Sequence, residues 1–534
     1  MPAVWMHNVP ALAGDPQAPR PRRLALAVTV ALLAALTGLG GCDLAPAHKP
    51  PHYILPADWR GQGPFTLAKP RDTLPRGPWW EGFGDSLFNQ LEAQLEADNP
   101  TLAASYDMYV QARDAAAIAR SGLYPQVDID GQLSAEKESK NAPFRNPQSN
   151  VGLITPNNVV QAASSWQPDF WERIRNLERQ QARLAQSSAA LVANARLSLQ
   201  VQLADTYFAL RGLDIQDAVY RQAVANYQKS VHITQLRLQS AIAAGLDVAR
   251  AQTQLASTQA LQSVTLASRT VLEHAIAILA GANPSTFSIP PQLQDALINP
   301  VVPTGVPSEL LERRPDIASA ERQMAAANAS IGITRAAFYP NVTLSATGGF
   351  QDTGFNLASL PNALWSIGAS AVLPLFEGGL RRAELQQSWA QFALTRDNYR
   401  AVVLAAFQQV EDGLTLQASL QSQTGSQQQA LAAAIKAQSL TQQLYVGGLI
   451  NYLDVVVAQE TLLLVAIASA QARTAQLQNT ANLILAVGGG WSTQDLPTER
   501  GVLPFEPLDV LRFDRRPHPD GTGQGGSAAS RPAP

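Results

Sequence analysis

The sequence contains only one cysteine, Cys42, among 534 residues. A disulfide within the chain is therefore excluded, as is a metal site built on several thiolates. The six histidines have no metal-ligand spacing beyond His48 and His52, which flank two prolines. No phosphate-binding loop with its lysine is present, and the G-x-G-x-x-G match at 521–526 lies in a Gly/Ser/Pro tail without a preceding strand. We expect no enzyme, no cofactor beyond a covalent lipid, and no metal.

Charge is scarce and nearly balanced. Charged residues make up 15% of the chain, and 39 basic against 42 acidic residues leave a net charge of -3. A basic surface of the kind that binds nucleic acid is therefore not expected. Between about residues 79 and 490 no Pro/Gly/Ser-rich linker separates the chain into domains.

The single cysteine follows a leader of the secretory type. Three arginines between residues 20 and 23 precede an apolar stretch at 24–36, and the sequence LGGC ends at Cys42. The apolar stretch is too short for a spanning helix, which needs about 20 residues. We predict that Cys42 carries diacylglycerol and an N-acyl chain that anchor the mature protein to a membrane. A buried free thiol is the alternative, and Asp43, which is a retention signal in some enteric bacteria, leaves the sorting of the lipid open.

The chain contains an internal repeat of about two hundred residues. Residues 98–102 (DNPTL) align with 313–317 (RRPDI) at an offset of 215. Residues 246–255 align with 453–462 at an offset of 207, with six of ten positions identical. A repeat of this length indicates a duplicated fold rather than a solenoid of short units.

Each repeat contains two segments in which apolar and polar residues alternate. Two of them follow Pro125 and Pro340, a third spans 365–373, and a weaker one spans 159–166. Four strands of about ten residues with one apolar face are typical of a tilted strand that crosses a membrane in a barrel. Because four strands cannot close a barrel, several copies must combine. A soluble four-stranded sheet with one wet face is the alternative.

The segments between the strand pairs predict very long helices. Residues 171–240 contain no proline and one glycine, and a second such run spans 380–446. At 1.5 Å per residue each helix would reach about 100 Å. The low charge and the leucines seven residues apart at 177, 184 and 191 indicate a coiled coil.

These features together resemble the TolC-like outer-membrane efflux proteins, of the NodT-type lipoprotein branch. The resemblance rests on residues 79–87 (WWEGFGDSL), 310–317 (LLERRPDI) with 320–322 (AER), and 337–340 (AFYP). It implies a membrane protein that is a homotrimer, in which four strands per chain form a twelve-stranded β-barrel continued by an α-helical coiled-coil periplasmic tunnel. Locally, 313–316 reads as a helix start, for which we expect a structural role.

The resemblance implies a division of the chain into six segments. They are a lipoprotein signal peptide (1–41), an N-terminal lipid anchor and equatorial segment (42–90), a first outer-membrane efflux repeat (91–281), an equatorial linker (282–307), a second repeat (308–490) and a disordered C-terminal tail (491–534).

The candidate site lies where paired helices of each repeat reverse direction. Gly447, Gly448 and Leu449 mark one turn, where glycine supplies backbone freedom, and the resemblance implies that a periplasmic adaptor docks there. The first repeat has 240–242 (SAI) instead. Asp454 and Asp247 follow the two turns, and in a trimer they are candidates for a charged periplasmic gate. The alternative is that both cap the following helices. An apolar collar at Val457 could back the ring of Asp454.

We therefore predict an outer-membrane exit duct of a Gram-negative cell, lipid-anchored and extending into the periplasm. It would pass small toxic compounds from an inner-membrane RND pump and a periplasmic adaptor (membrane fusion protein). One alternative is type I protein or peptide secretion with an ABC exporter. Another is a lipid-anchored structural coiled coil, which would conduct no ions.

Overall fold

The structure is a computed structural model of the chain. It describes residues 43–49, 59, 78–137, 139, 154–242, 244–292, 297–302, 310–354, 356, 359–489 and 491–502. The predicted signal peptide and Cys42 lie outside the described residues. The helices of more than one turn are α1 (Ser86–Asp98), α2 (Pro100–Ser121), α3 (Arg173–Gln239), α4 (Gly245–Leu279), α5 (Pro315–Ala336), α6 (Leu380–Val446) and α7 (Tyr452–Ala486). The strands are β1 (Gln126–Lys137), β2 (Ile154–Trp166), β3 (Asn341–Asp352) and β4 (Ala363–Val372).

The lengths of these elements confirm the duplication. Helices α3 and α6 have 67 residues each, and α4 and α7 have 35 each. Helices α2 and α5 have 22 each, and β1 and β3 have 12 each. The first residues of α2 and α5 are 215 apart and those of α3 and α6 are 207 apart. The offset between the repeats therefore falls by eight because the second repeat is eight residues shorter between the start of β3 and the start of α6 than the first is between β1 and α3.

The chain divides into two compact units, one of which carries the strands within Leu123–Arg175 and Gly332–Gly378. The four strands form one antiparallel sheet in the order β1-β2-β3-β4. Their lengths of 12, 13, 12 and 10 residues confirm the predicted strands, although β2 begins earlier than the alternation indicated.

The sheet has one apolar and one polar face, as predicted. The register places Val127 opposite Ser164, Ser164 opposite Ala346, and Ala346 opposite Ile367, so all four share a face. Large apolar side chains on this face are exposed to solvent in the single chain, and Ile367 is 80% exposed. The neighbouring residues on the strands, such as Asp128, lie on the other face. An apolar sheet face of this kind requires a covering, which the described residues of the unit do not supply.

The second unit, which carries most of the helical residues and which we call the helical unit, has a core of aromatic side chains from the 79–87 motif, the residue that follows it, and α3. Phe83 and Phe88 are fully buried and pack against Phe208, with ring centroids 4.7 and 5.4 Å away. Asp85 caps α1 by accepting hydrogen bonds from the backbone of the first turn, and it also accepts one from the Tyr207 hydroxyl at 2.6 Å. The motif thus starts α1 and fixes it to α3.

The two repeats use the same joint at the start of α2 and of α5. Asn99 donates from its side chain to the Leu279 carbonyl at 2.8 Å. At the equivalent place Arg314 donates to the Ala486 carbonyl at 2.9 Å, and α5 begins directly after it at Pro315. The structural role expected for 313–316 is confirmed.

The first part of the predicted linker, 282–307, is held by a buried polar cluster. Arg211 and Arg269 both bind Asp214, at 2.9 and 2.6 Å. The same arginines donate to the Pro290 and Ile289 carbonyls at 3.0 and 2.7 Å. Because these charged groups are paired and also hydrogen-bonded to backbone, they tie the linker to α3 and α4.

Helix α7 is long and apolar enough to cross a membrane by length and composition alone, with a mean hydropathy of 1.8 in its most apolar window. Its inner side packs on α6, however. Asn479 donates to the Gly413 carbonyl at 3.1 Å, and Leu483 lies buried in the core. Packing against α6 therefore accounts for part of this apolar surface.

The prediction of a disordered tail from residue 491 is wrong for residues 491–502. Ser492 and Asp495 form a reciprocal capping box, and a short helix ends at Val502. Val502 is buried against alanines of α2 and α3. Burial of this single apolar side chain and the capping bonds order a segment whose composition gave no such indication. Residues 503–534 lie outside the described residues.

Candidate functional site at the paired helical turns

The turn between α6 and α7 closes with paired backbone hydrogen bonds. The amide of Leu449 donates to the Leu444 carbonyl at 2.9 Å, and the amide of Gly448 donates to the Tyr445 carbonyl at 3.0 Å. Gly448 has a φ of +76°, in the left-handed region. This is the Schellman arrangement, which glycine favours because it has no Cβ.

The turn between α3 and α4 has the same hydrogen bonds at positions 207 residues earlier. Ile242 donates to the Arg237 carbonyl at 2.8 Å, and Ala241 donates to the Leu238 carbonyl at 2.9 Å. Ala241 has a φ of +56°, which is rare for a residue with a Cβ. The different sequence of the first turn therefore leaves its backbone closure unchanged and introduces strain at Ala241.

A side chain that the sequence analysis missed joins the two turns. The guanidinium of Arg237 donates to the Tyr445 carbonyl at 3.0 Å and lies 4.5 Å from the centre of the Tyr445 ring. Both a hydrogen bond and a cation–π contact thus connect the end of α3 to the end of α6. The available indication was a basic residue in the last turn of α3, where it is also favoured by the helix dipole.

A small apolar cluster lies beneath the turns. Tyr445 is 4% exposed, and its ring centre is 5.4 Å from that of Tyr452. Val455 and Ala251 complete the buried part of the cluster. Burial raises the pKa of Tyr452 to about 12. The phenol is therefore neutral at physiological pH, and the cluster connects α4, α6 and α7.

The interpretation of Asp454 and Asp247 as helix caps is wrong. The cap of α7 is Asn451, whose side chain accepts from the Asp454 amide at 3.2 Å. The cap position of α4 is Ala244, which makes no side-chain cap bond. Both aspartates instead lie in the first turn of their helices, where the helix dipole stabilises a negative charge.

Asp454 and its apolar neighbours are open on the surface of the chain. Asp454 itself is exposed, and Leu453 and Val457 are 45% and 55% exposed. Val457 is three positions after Asp454, so both lie on one side of α7. The carboxylate therefore has an apolar flank along the helix.

The described residues contain no group of three or more His, Cys, Asp or Glu side chains suited to a metal ion. The two loops that connect the paired helices are similar and exposed. One carboxylate lies in the first turn of the helix that follows each loop.

Comparisons with known proteins give one family. A family model described as outer membrane efflux protein matches residues 91–282 and 306–489. The pyoverdine export outer membrane protein OpmQ of Pseudomonas aeruginosa is 30% identical over 473 residues, which are 87% of this chain and 97% of that protein. The cation efflux system protein CusC of Escherichia coli O6:H1 is 26% identical over 460 residues, covering 85% and 96%.

Solved structures of outer-membrane channels have the same fold. The channel OprN matches with a TM-score of 0.77 and 26% identity, over 84% of this chain and 100% of that one. The CmeC channel of Campylobacter jejuni matches with a TM-score of 0.80 over 86% and 99%, and its 21% identity supports the fold alone.

Proposed function

Since this chain belongs to the outer membrane efflux protein family, we propose that it is the exit duct of a three-part efflux system in a Gram-negative cell. It is an outer-membrane efflux channel, and its family consists of channel proteins. The finer assignment is that it passively conducts small toxic compounds handed over by an inner-membrane pump and a periplasmic adaptor. The observation that carries this is the duplicated pair of long helical hairpins joined to a four-stranded sheet with an open apolar face.

The active form is a homotrimer. In the described sheet β1 and β4 are the edge strands, each with one hydrogen-bonded neighbour. Unpaired edges and an exposed apolar face are both costly, and lipid tolerates only closed sheets. Three copies that pair β1 with β4 of the next copy give twelve strands. The polar face then lines a water-filled interior and the apolar face meets lipid.

The gate lies at the helical turns. Three copies of Asp454 form an acidic ring at the narrow end of the duct, and Leu453 with Val457 forms an apolar collar beside it. A ring of carboxylates attracts cations, and an apolar constriction resists wetting. Asp247 contributes less, because it is half-buried whereas Asp454 is exposed.

The adaptor docks at the two turns of each chain. Gly447, Gly448 and Leu449 form one docking surface. The turn at Ala241 forms another, because its backbone closes with the same hydrogen bonds. A proton-driven RND pump is the proposed driver, and the pump rather than the duct selects the cargo. Type I secretion with an ABC exporter is the second candidate, favoured only by the general suitability of a wide duct.

The chain is anchored in the outer membrane through a lipid on Cys42. The support is the leader in the sequence and the absence of any other cysteine with which it could pair. Mass spectrometry of the N-terminal peptide of the mature protein tests this, and an unmodified thiol would overturn it.

Photo-crosslinking in cells tests the assignment of partners. A crosslinking residue is placed at Leu449 or at Ile242, and a matched control is placed at the exposed Leu416 in the middle of α6. We expect an adaptor to be captured from both turns but not from the control, together with an RND pump. Co-purification of an ABC exporter instead would move the function to secretion. Purified trimers that pass no current in a planar bilayer would favour the structural coiled coil.

A further inference from the structure

A cavity of about 390 Å³ lies in the helical unit and is lined by residues of α3, α6 and α7. Its volume falls within the range of about 300–1,000 Å³ that is usual for small-molecule sites. The described residues that line it have apolar, amide or phenol side chains, and none of them carries a charged group. The lining therefore favours a neutral and largely apolar occupant. Its large apolar members are Ile215, Val219, Leu431, Ile435, Leu462 and Leu463.

The cavity is separate from the helical turns. On α6 its last lining residue is Gln438, which precedes Gly447 by nine residues, or about 14 Å along the helix. On α3 its last lining residue is Tyr227, which precedes Ala241 by 14 residues, or about 21 Å. The cavity therefore shares no residue with the proposed gate or with the proposed docking surfaces.

One lining residue has a buried polar atom without a partner. Gln459 of α7 is 5% exposed, and its Nε2 donates to the Ser230 hydroxyl at 3.1 Å. Its other amide atom, Oε1, is buried and accepts no hydrogen bond from the described residues. A buried acceptor that lost its water on folding and gained no donor costs free energy. This oxygen therefore favours an occupant that carries a hydrogen-bond donor.

The phenol next to Gln459 does not supply that donor. The Tyr227 hydroxyl donates to the Gln459 backbone carbonyl at 3.4 Å, and it accepts a hydrogen bond from Gln254 Nε2 at 3.4 Å. Its single hydrogen is therefore engaged with the backbone. The last torsion of a glutamine side chain is soft, so the Gln459 amide can turn its oxygen towards a donor in the cavity.

We propose that this cavity binds a neutral, largely apolar small molecule with one O–H or N–H donor, which bonds to Gln459 Oε1. Such an occupant contacts α3, α6 and α7 at once. It therefore binds the arrangement of these helices in this structure more tightly than one in which they have moved apart. The inference goes beyond the proposed function, because binding requires neither the pump nor the adaptor.

Photolabelling locates an occupant directly. The probe is 4-hydroxybenzophenone, a neutral two-ring ketone with one O–H donor, and benzophenone is the same molecule without the donor. Each is irradiated with full-length trimers in lipid nanodiscs, and the modified residues are identified by mass spectrometry. We expect both probes to label lining residues of α3, α6 or α7 in a saturable manner. Labelling that does not saturate, or that is confined to residues outside the lining, would overturn the proposal.

Removing the acceptor isolates the hydrogen bond. Gln459→Met keeps the length of the side chain and removes Oε1. Each probe partitions into lipid to the same extent in every sample, so the informative quantity is the ratio of the two half-saturating concentrations. Relative to benzophenone, 4-hydroxybenzophenone should require about fivefold more in the variant than in the parent protein. An unchanged ratio would mean that Oε1 bonds to no donor of the occupant, or that water already satisfies it, and would refute the proposed recognition.

Filling the cavity should abolish binding of both probes. Ala223 is a lining residue of α3, and Ala223→Trp should lower saturable labelling at least about tenfold because the indole occupies the space. Ala433→Trp is the matched control, since Ala433 is exposed on α6 and does not line the cavity. Labelling that persists in Ala223→Trp would contradict the site. The two test variants change different helices, so if one fails to form trimers the other decides the question.

Conductance of the same trimers in a planar bilayer separates this inference from the proposed function. Trimers that pass no current but are labelled in the cavity would refute the duct and leave the binding site standing. Trimers that conduct but show no saturable labelling would refute the binding site and leave the duct standing.

Discussion

Exchanging the residues at the two left-handed turn positions should change the stability of the two turns in opposite directions. Gly448→Ala forces a Cβ into a φ of +76°. The nearest atom outside the chain neighbours would be Arg237 Nη2 at 3.9 Å, an ordinary contact, so the cost is one of backbone strain. That strain is about 1–2 kcal/mol.

Ala241→Gly should have the opposite effect. The substitution relieves the strain at φ +56°. Part of the gain is lost because glycine increases the entropy of the unfolded chain, and a net stabilisation of about 0.5–1 kcal/mol remains. The hydrogen bonds that close the turn do not depend on the methyl group, since they are made by backbone atoms.

Hydrogen exchange of the closing amides measures both effects directly. The Leu449 amide should exchange roughly 5- to 30-fold faster in Gly448→Ala, since each 1 kcal/mol of local stability is about fivefold in opening. The Ile242 amide should exchange about two- to fivefold more slowly in Ala241→Gly. If Gly448→Ala left the Leu449 amide unchanged, or Ala241→Gly made the Ile242 amide exchange faster, the reasoning from backbone strain would be refuted.

Four further outcomes are expected. Gly488→Ala should destabilise the helical unit by more than about 3 kcal/mol in thermal unfolding, because a Cβ at φ +92° would clash with the Arg313 carbonyl. Gly425→Ala is the contrast: this glycine lies in α6 with open space around it, and the substitution should stabilise the unit slightly. Burial, with a smaller effect from a neighbouring carboxylate, raises the pKa of Glu92 from 4.5 to about 9. The folded state therefore holds the extra proton, so stability should fall as pH rises between about 5 and 9, and Glu92→Gln should remove that slope. Asp454→Ala should raise the single-channel conductance of purified trimers, and an unchanged current would count against its gating role. Arg237→Met should increase exchange at the second turn about fivefold, whereas unchanged exchange would show that its contacts with the turn contribute nothing.

The long helices and the strands could be predicted because they depend on local features. Runs without proline predicted 171–240 and 380–446, and the helices observed are Arg173–Gln239 and Leu380–Val446. Alternating apolar residues predicted the four strands and their two faces. Both patterns depend on the period of side chains along one element, which no distant contact alters.

The alternative interpretation of the two aspartates as helix caps is wrong, and the spacing of the residues explains why. Asn451 precedes Asp454 by three residues, the spacing of a cap and the third residue of the helix it starts. Asn451 and Asp454 both have side chains that can cap a helix, and the backbone places Asn451 at the cap position. In the first repeat the equivalent cap position holds Ala244, so no side chain competed there.

The sequence by itself determined the class of this protein: a duplicated chain, four amphipathic strands and two pairs of long helices. Local periodicity and turn chemistry carry that information. Only the tertiary structure decided that Ala241 adopts the conformation of a glycine, that Arg237 joins the two turns, and that Asn328 of α5 donates to the Pro46 carbonyl. These features depend on residues that are far apart in the chain, and the contacts between them form only after the helices have packed.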